Sequence, residues 1–294
     1  MQFDPNHLAA LSAVLRRGSF DAAAIDLRVT PSAISQRIKA LEDRVGSSLI
    51  RRGTPCTGTP VGLRIAKHAE DVDLLEAQLN RELSLGAVTG PLHLRIAINA
   101  DSLATWFPAA MAAVPDVLFD LVIDDQDHSA EWLKRGEVSA AVAAQDKPVT
   151  GCDSWSLGSL RYVATASPGF FNRWFADGVT AETLAKAPCL TFNAKDMLQR
   201  RWISDNLGVR LSPPSHFLPS THAFVDAVRA GLGWGMNPRS LVRAALRNGR
   251  LVPLLADAPL DVPLTWQVSR IMAPALSPVT QAVRKAARDG LIAP

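Results

Sequence analysis

Cysteine is scarce: Cys56, Cys152 and Cys189 are the whole complement of a 294-residue chain. Three is an odd number, and no two stand as Cys-x-x-Cys. This argues against a disulfide framework or a structural zinc site, and fits a reducing compartment. Long apolar runs are also missing. The longest, residues 138–144 and 109–114, fall far below the ~20 residues that span a bilayer. Residues 1–5 have neither a basic nor an apolar leader segment, so the expectation is no secretory signal, a cytoplasmic location and no membrane contact. The six histidines (His7, His68, His93, His128, His216, His222) never pair at ligand spacing, which argues against a metal enzyme. Gly231-Leu232-Gly233-Trp234-Gly235 follows its helix and lacks the Gly-x-Gly-x-x-Gly spacing of a dinucleotide loop, and there is no Walker motif. No catalytic constellation stands out, so no enzyme activity, metal or cofactor is expected.

What is present is an ordinary globular composition, 48% hydrophobic and 20% charged, with an uneven charge distribution. Residues 1–60 hold eight Arg/Lys against five Asp/Glu, whereas the remaining 234 residues hold 23 of each sign. The whole excess of +3 lies in the first fifth of the chain. Such asymmetry suggests an appended unit that meets a polyanion, although a solvated basic face would look the same.

Apolar spacing in this unit reads as three short helices. Leu8, Leu11, Val14 and Leu15 form one face, stopped by Gly18. Phe20, Ala23, Ala24 and Leu27 follow at i, i+3, i+4, i+7. The third helix opens with Thr30 as cap and Pro31 at its first position, buries Ile34, Ile38, Leu41 and Val45, and ends at Gly46. Its opposite face carries Ser32, Gln36 and Lys39, with Ser35 on the edge. A helix entering the major groove needs such groups to reach base edges and phosphates. A small helical bundle with a polar surface has the same spacing. Arg51 and Arg52 then precede Gly53, Pro55, Gly58 and Pro60. Beside a helix-turn-helix this reads as a wing whose arginines meet phosphate or the minor groove; alone it would be a linker with two solvated arginines.

The residues Ser19-Phe20-Asp21-Ala22-Ala23-Ala24, the run from Thr30 to Glu42, Gly46 and Leu49 resemble the winged helix-turn-helix of LysR-type transcriptional regulators. The sequence departs from that pattern at Pro31, where many members have a DNA-touching Gln, and at Thr59-Pro60-Val61-Gly62, where Leu-Thr-x-x-Gly is usual. The resemblance implies DNA contacts from Thr30, Pro31, Ser32, Ser35, Gln36, Arg37, Lys39, Arg51 and Arg52.

From Val61 to about Leu85, Ile65, Val72 and Leu79 recur at seven, with Leu75 between them and Ala69 and Leu83 flanking. This is a short heptad seam. It suits a dimerisation helix that places two heads on one duplex, or a helix packed on its own domain. Gly86 to Pro91 reads as a hinge. Beyond Leu92, short apolar strands alternate with helices, which argues for α/β lobes with largely parallel sheets. The resemblance implies a multidomain chain: a winged helix-turn-helix head at 1–60, a linker at 61–90, and a two-lobed α/β effector domain like the periplasmic binding proteins at 91–294. Lobe I would hold 91–160 and 268–294, and lobe II 161–267, with crossings near Gln145–Ser159 and Val268.

Charge is segregated within the first lobe. From Ile96 through Leu133 there are seven acids (Asp101, Asp116, Asp120, Asp124, Asp125, Asp127, Glu131) and no Lys or Arg. Asp101 with Ser102, and Asp124 with Asp125 and Asp127, follow two successive strands and can face one cleft. Carboxylates there would favour a cation, and the helix start near Ser102 would suit a carboxylate, so a cationic amino acid matches both. Individually these acids also read as caps and solvated loop residues.

The blocks Asn99–Trp106, Arg135-Gly136-Glu137-Val138, Lys186-Ala187-Pro188 and Ala223-Phe224-Val225 resemble the ArgP/LysG branch of the family, which responds to lysine and arginine and controls basic amino-acid export. That likeness implies an effector, L-lysine or L-arginine, held by Asn99, Asp101, Ser102, Asp124, Asp125, Gln145, Asn193 and Thr221. It also implies double-stranded promoter DNA as partner, a homodimer or tetramer through the linker helices, and RNA polymerase at target promoters. A different effector on the same scaffold, such as an aromatic acid or a peroxide sensed by Cys152 and Cys189, and an architectural DNA protein without ligand response are the competing readings.

Overall fold

A computed structural model describes residues 3–85, 92–124, 129–144 and 148–293. The expected hinge at 86–91 lies outside the described residues.

The head opens with α1 (Pro5–Arg17), capped by the Asp4 carboxylate and ended by Gly18 in the left-handed region at φ 69°. Next come α2 (Phe20–Asp26), capped by Ser19, and α3 (Pro31–Val45), capped by Thr30 and ended by Gly46 at φ 75°. Leu11, Ile34 and Leu41 are fully buried between them, each contributing about 1.5–3 kcal/mol of burial. Two short antiparallel strands, β1 (Ile50–Arg51) and β2 (Thr57–Gly58), form the wing. Glu42 ties the wing to α3, because its Oε1 accepts from the Leu49 amide at 2.8 Å and from the Ser48 hydroxyl at 3.2 Å.

The linker is α4 (Pro60–Glu82), which starts on a Thr59 cap. Its faces are divided along its length. Ile65, Ala66 and Ala69 belong to the head core, whereas Leu74 belongs to the core of the following domain. Of the heptad residues, Ile65 and the flanking Ala69 are packed inside the chain, as the own-domain alternative has it, whereas Leu75, Leu79 and the flanking Leu83 are exposed, as is Leu63.

Lobe I holds β3 (Leu92–Ile98), α5 (Ala100–Thr105), α6 (Phe107–Ala112), β4 (Val117–Ile123), α7 (Ser129–Lys134) and β5 (Ala140–Ala143). The helical stretch after β3 is two helices, α5 and α6, broken beside Pro108, whose ring nitrogen has no amide hydrogen to donate. The chain then crosses on the 15-residue β6 (Cys152–Ala166). Lobe II holds α8 (Pro168–Trp174), α9 (Ala181–Lys186), β7 (Cys189–Thr191), α10 (Leu198–Leu207), β8 (Ser215–Phe217), α11 (Thr221–Arg229), β9 (Gly235–Pro238), α12 (Arg239–Arg247) and β10 (Val252–Pro253). The return is β11 (Pro259–Ser269), and α13 (Ser277–Gly290) closes onto lobe I by packing on α6.

One sheet runs through both lobes in the order β10-β6-β11-β5-β3-β4, with β9 also on β6. Only β4-β3-β5 pair in parallel within it; β6 and β11 are antiparallel from Val163↔Pro259 to Cys152↔Ser269. The largely parallel lobes expected from the alternation are therefore joined by a long antiparallel ribbon. A register shift between Leu264 and Thr265 interrupts that ribbon, which adds local twist where the lobes part. A small parallel pair, β7-β8, completes lobe II.

Candidate functional site

Two surfaces carry the polar residues singled out by sequence. On the head, Ser32, Ser35, Gln36 and Lys39 are exposed along α3, and Arg51 and Arg52 are exposed on the wing. Arg37 is half-buried. Thr30 is engaged as the cap, accepting from the Ala33 amide at 3.2 Å. Pro31 stands at the helix start. The Arg52 guanidinium rests over the Phe20 ring at 5.4 Å, which fixes the wing tip against α2.

The second surface is a cavity of about 210 Å³ between the lobes. It is smaller than the roughly 300–1,000 Å³ of pockets for drug-sized ligands, and so suits a single amino acid. Lobe I supplies Asn99, Asp101, Asp124 and Ala144, the crossing strands supply Tyr162, Val262 and Pro263, and lobe II supplies Phe192, Lys195, Asp196, Met197, Leu198 and Arg201.

Asp101 stands where the lobes meet. It lies in the first turn of α5, immediately after β3, a position favourable for a negative charge. Its Oδ2 accepts from the Tyr162 hydroxyl at 2.7 Å, and its Oδ1 accepts from the Thr221 hydroxyl at 2.7 Å. Tyr162 is fully buried, and burial first, then the Asp101 charge, pushes its phenol well above its ordinary range. It is therefore a permanent donor to the carboxylate. Thr221 opens α11 of lobe II, so one carboxylate binds both a crossing strand and the far lobe.

Asp124 follows β4 and presents its two oxygens differently. Oδ2 accepts from the Trp132 indole at 2.9 Å, while Oδ1 meets the Lys195 ammonium at 3.3 Å. Lys195 reaches across from lobe II on a loop shaped by Asn193, whose side chain accepts from the Lys195 and Asp196 amides at 2.7 and 3.2 Å. Asp196 is largely engaged in its own loop, accepting from the Phe192 and Leu198 amides at 2.9 Å each.

Of the residues proposed for the effector, Asn99, Asp101 and Asp124 line the cavity and Thr221 joins it through Asp101. Asn193 lies behind it, lining a smaller cavity of about 120 Å³ with Cys189 and Gln199. Ser102 is fully buried, and its amide donates to Asn99 Oδ1 at 3.2 Å. That amide is thus already engaged and does not face a ligand carboxylate. Asp125 and Gln145 lie outside the described residues, as does Asp127. Sequence reasoning passed over Tyr162, Lys195 and Arg201. Tyr162 had a signal, being the one tyrosine in the chain. The two cations had none, because only the fold brings them opposite lobe I.

Cys152 and Cys189 are buried, and burial pushes both thiols up. A raised thiol holds its proton and is a poor nucleophile. Among the described residues no group of His, Cys, Asp and Glu is placed to hold a metal, and no helix is long and apolar enough to cross a membrane.

Comparison with known proteins divides the chain in two. Residues 5–63 match the family model for the bacterial regulatory helix-turn-helix protein, lysR family, and residues 79–291 match the LysR substrate binding domain. The HTH-type transcriptional regulator LysG of Mycobacterium tuberculosis is 44% identical over 286 residues, covering 97% of this chain and 94% of its own. The crystal structure of ArgP from Mycobacterium tuberculosis matches with a TM-score of 0.76 at 44% identity, over 100% of both chains. Full-length LysG from Corynebacterium glutamicum, solved with bound effector Arg, matches with a TM-score of 0.66 at 36% identity, over 98% of this chain and 99% of the other.

Proposed function

The chain belongs to the LysR family of transcriptional regulators, and from that premise we propose that a cationic amino acid, arginine or lysine, seated between its lobes governs how its head engages promoter DNA. It is a DNA-binding regulator and not an enzyme. The head, at residues 1–60, reads the duplex with Ser32, Ser35, Gln36 and Lys39 in the major groove, and Arg37, Arg51 and Arg52 serve the phosphates. Residues 61–90 link it to the effector domain at 91–294, with lobe I at 91–160 and 268–294 and lobe II at 161–267. The exposed Leu75, Leu79 and Leu83 of α4 are the seam along which a second copy pairs. The regulator works in the cytoplasm, with RNA polymerase as its further partner at the promoter.

One observation carries the effector reading: Asp101 binds Tyr162 of the crossing strand and Thr221 of lobe II at once, at the wall of an acid-lined cavity. A ligand shifts a conformational equilibrium only by binding one state better than the other. A cation that pairs with Asp101 changes the bonds that join the lobes, so its binding free energy depends on their angle. Asp124 already receives an ammonium from Lys195, which is the chemistry a lysine side chain would offer. Arg201, exposed at the lobe II rim, is the counterpart for a ligand carboxylate. The bound arginine in the Corynebacterium glutamicum relative supports the same ligand class.

The test is calorimetry on Asp101→Asn. Removing a buried charge partner costs about 2–5 kcal/mol, so arginine and lysine affinity should fall at least about 30-fold with folding preserved. Wild-type affinity in this variant would rule out the cation site at Asp101.

A further inference from the structure

The two oxygens of Asp124 point to different parts of the molecule, and what lies behind the second is a continuous route to the head. Oδ1 faces the cavity and Lys195. Oδ2 accepts from Trp132 on α7. The Arg135 guanidinium covers the Trp132 ring at 4.7 Å from its centroid and pairs with Glu137 at 2.7 Å, so the indole and the loop after α7 form one stacked unit. That loop, residues 135–139, lies against the linker helix. Arg64 of α4 donates to the Gly136 carbonyl at 2.7 Å, and the Ser139 hydroxyl donates to Asp71 of α4 at 3.3 Å. Between these two points Lys67, only 5% exposed, pairs with Asp71. The same stretch of α4 places Ile65, Ala66 and Ala69 in the core of the DNA-binding head.

Gly136 is in the left-handed region at φ 64°, and a methyl group there would displace the Arg64 guanidinium from its place at the loop. Lys67 and Asp71 both belong to α4, so the Ser139–Asp71 bond ties the loop to a carboxylate that is itself held on the helix. Movement of the loop is therefore felt at α4 through two hydrogen bonds, from Arg64 and to Asp71.

We propose that Asp124, Trp132 and residues 135–139 form the lever that transmits occupancy of the interlobe cavity to α4, with Arg64 and Gly136 as its contact point. This rests on the reading of the cavity as a site for a cationic amino acid. When the ligand cation takes Oδ1 from Lys195, the carboxylate reorients and Trp132 follows through Oδ2. The loop shifts with its stacked indole, and the Gly136–Arg64 and Ser139–Asp71 bonds pull on the helix that is wedged in the head. Arg64 and Gly136 are positioning residues: neither lines the cavity nor lies on the DNA-reading face.

The experiment is hydrogen exchange on the full chain with and without saturating arginine, with arginine affinity measured in parallel. In the wild type, arginine should change the exchange of amides 61–70 about fivefold, the low end of ordinary coupling. In Gly136→Ala and in Arg64→Gln, arginine affinity should stay within about twofold while the response of amides 61–70 disappears and that of lobe I remains. Arg64→Gln keeps the test open if the left-handed alanine prevents folding. A wild-type response in the variants overturns the lever, as does a wild type that binds arginine without any response in α4. A wild type that binds neither arginine nor lysine overturns the cavity reading, and the lever with it.

Discussion

Glu70 of α4 sits in a setting that changes how tightly it holds its proton. Burial pushes it up to about 7; Lys67, Arg95 and Arg16 pull it down, and Asp120 pushes it up. Its folded-state value thus lies above the ordinary 4.5 of an unfolded chain. The folded protein then holds the proton more tightly, so this contribution to stability is complete below about pH 4.5 and is lost as pH rises through about 7. Glu70→Gln should raise stability by ~1–3 kcal/mol at pH 8 and by nothing at pH 4, as urea unfolding midpoints at the two values would show. An equal gain at both would mean that the burial is not felt by the carboxyl. Single residues were unevenly legible in the sequence. Asp101 and Asp124 declared themselves as acids directly after apolar strands. Tyr162, Lys195 and Arg201 are distant in sequence from both, and no local pattern links residues that only the crossing ribbon brings together.

At the level of elements, α1, α2 and α3 were readable because their caps and stops are local. Asp4, Ser19 and Thr30 begin helices, and Gly18 and Gly46 end them. The exposed face of α3 follows directly from its buried stripe. Gln36→Ala and Lys39→Ala change only exposed side chains, so melting temperature should be unchanged. Binding to a duplex selected from random sequence by the wild-type chain should fall about 10–100-fold for each lost base or phosphate contact. A gel shift at wild-type affinity would remove α3 as the reading helix. For α4 the sequence showed a repeat without showing who takes each face. A heptad pattern records apolar positions alone, and here the helix turns Ile65 and Ala69 to the head, Leu74 to lobe I, and Leu75, Leu79 and Leu83 outward.

For the whole molecule, alternation of strands and helices pointed to the α/β class and the family resemblance implied the two lobes, whereas strand direction was not legible. The crossing strand β6 includes Ser154, Ser156, Gly158 and Ser159, which break the apolar pattern by which a strand is read from sequence. Its pairing with β11 spans about 100 residues of sequence and sets the lobes on one continuous sheet. That sheet is what makes a cavity between Asp101, Asp124 and Lys195 possible, and the charge of the ligand is the property on which the whole account turns. The most direct measurement is calorimetric titration of the full chain with arginine and with citrulline, its uncharged isostere. Arginine should bind, with citrulline at least about 30-fold weaker, given the 2–5 kcal/mol at stake in a buried charge pair. Equal affinity for the two, or no binding of arginine or lysine at all, would contradict it.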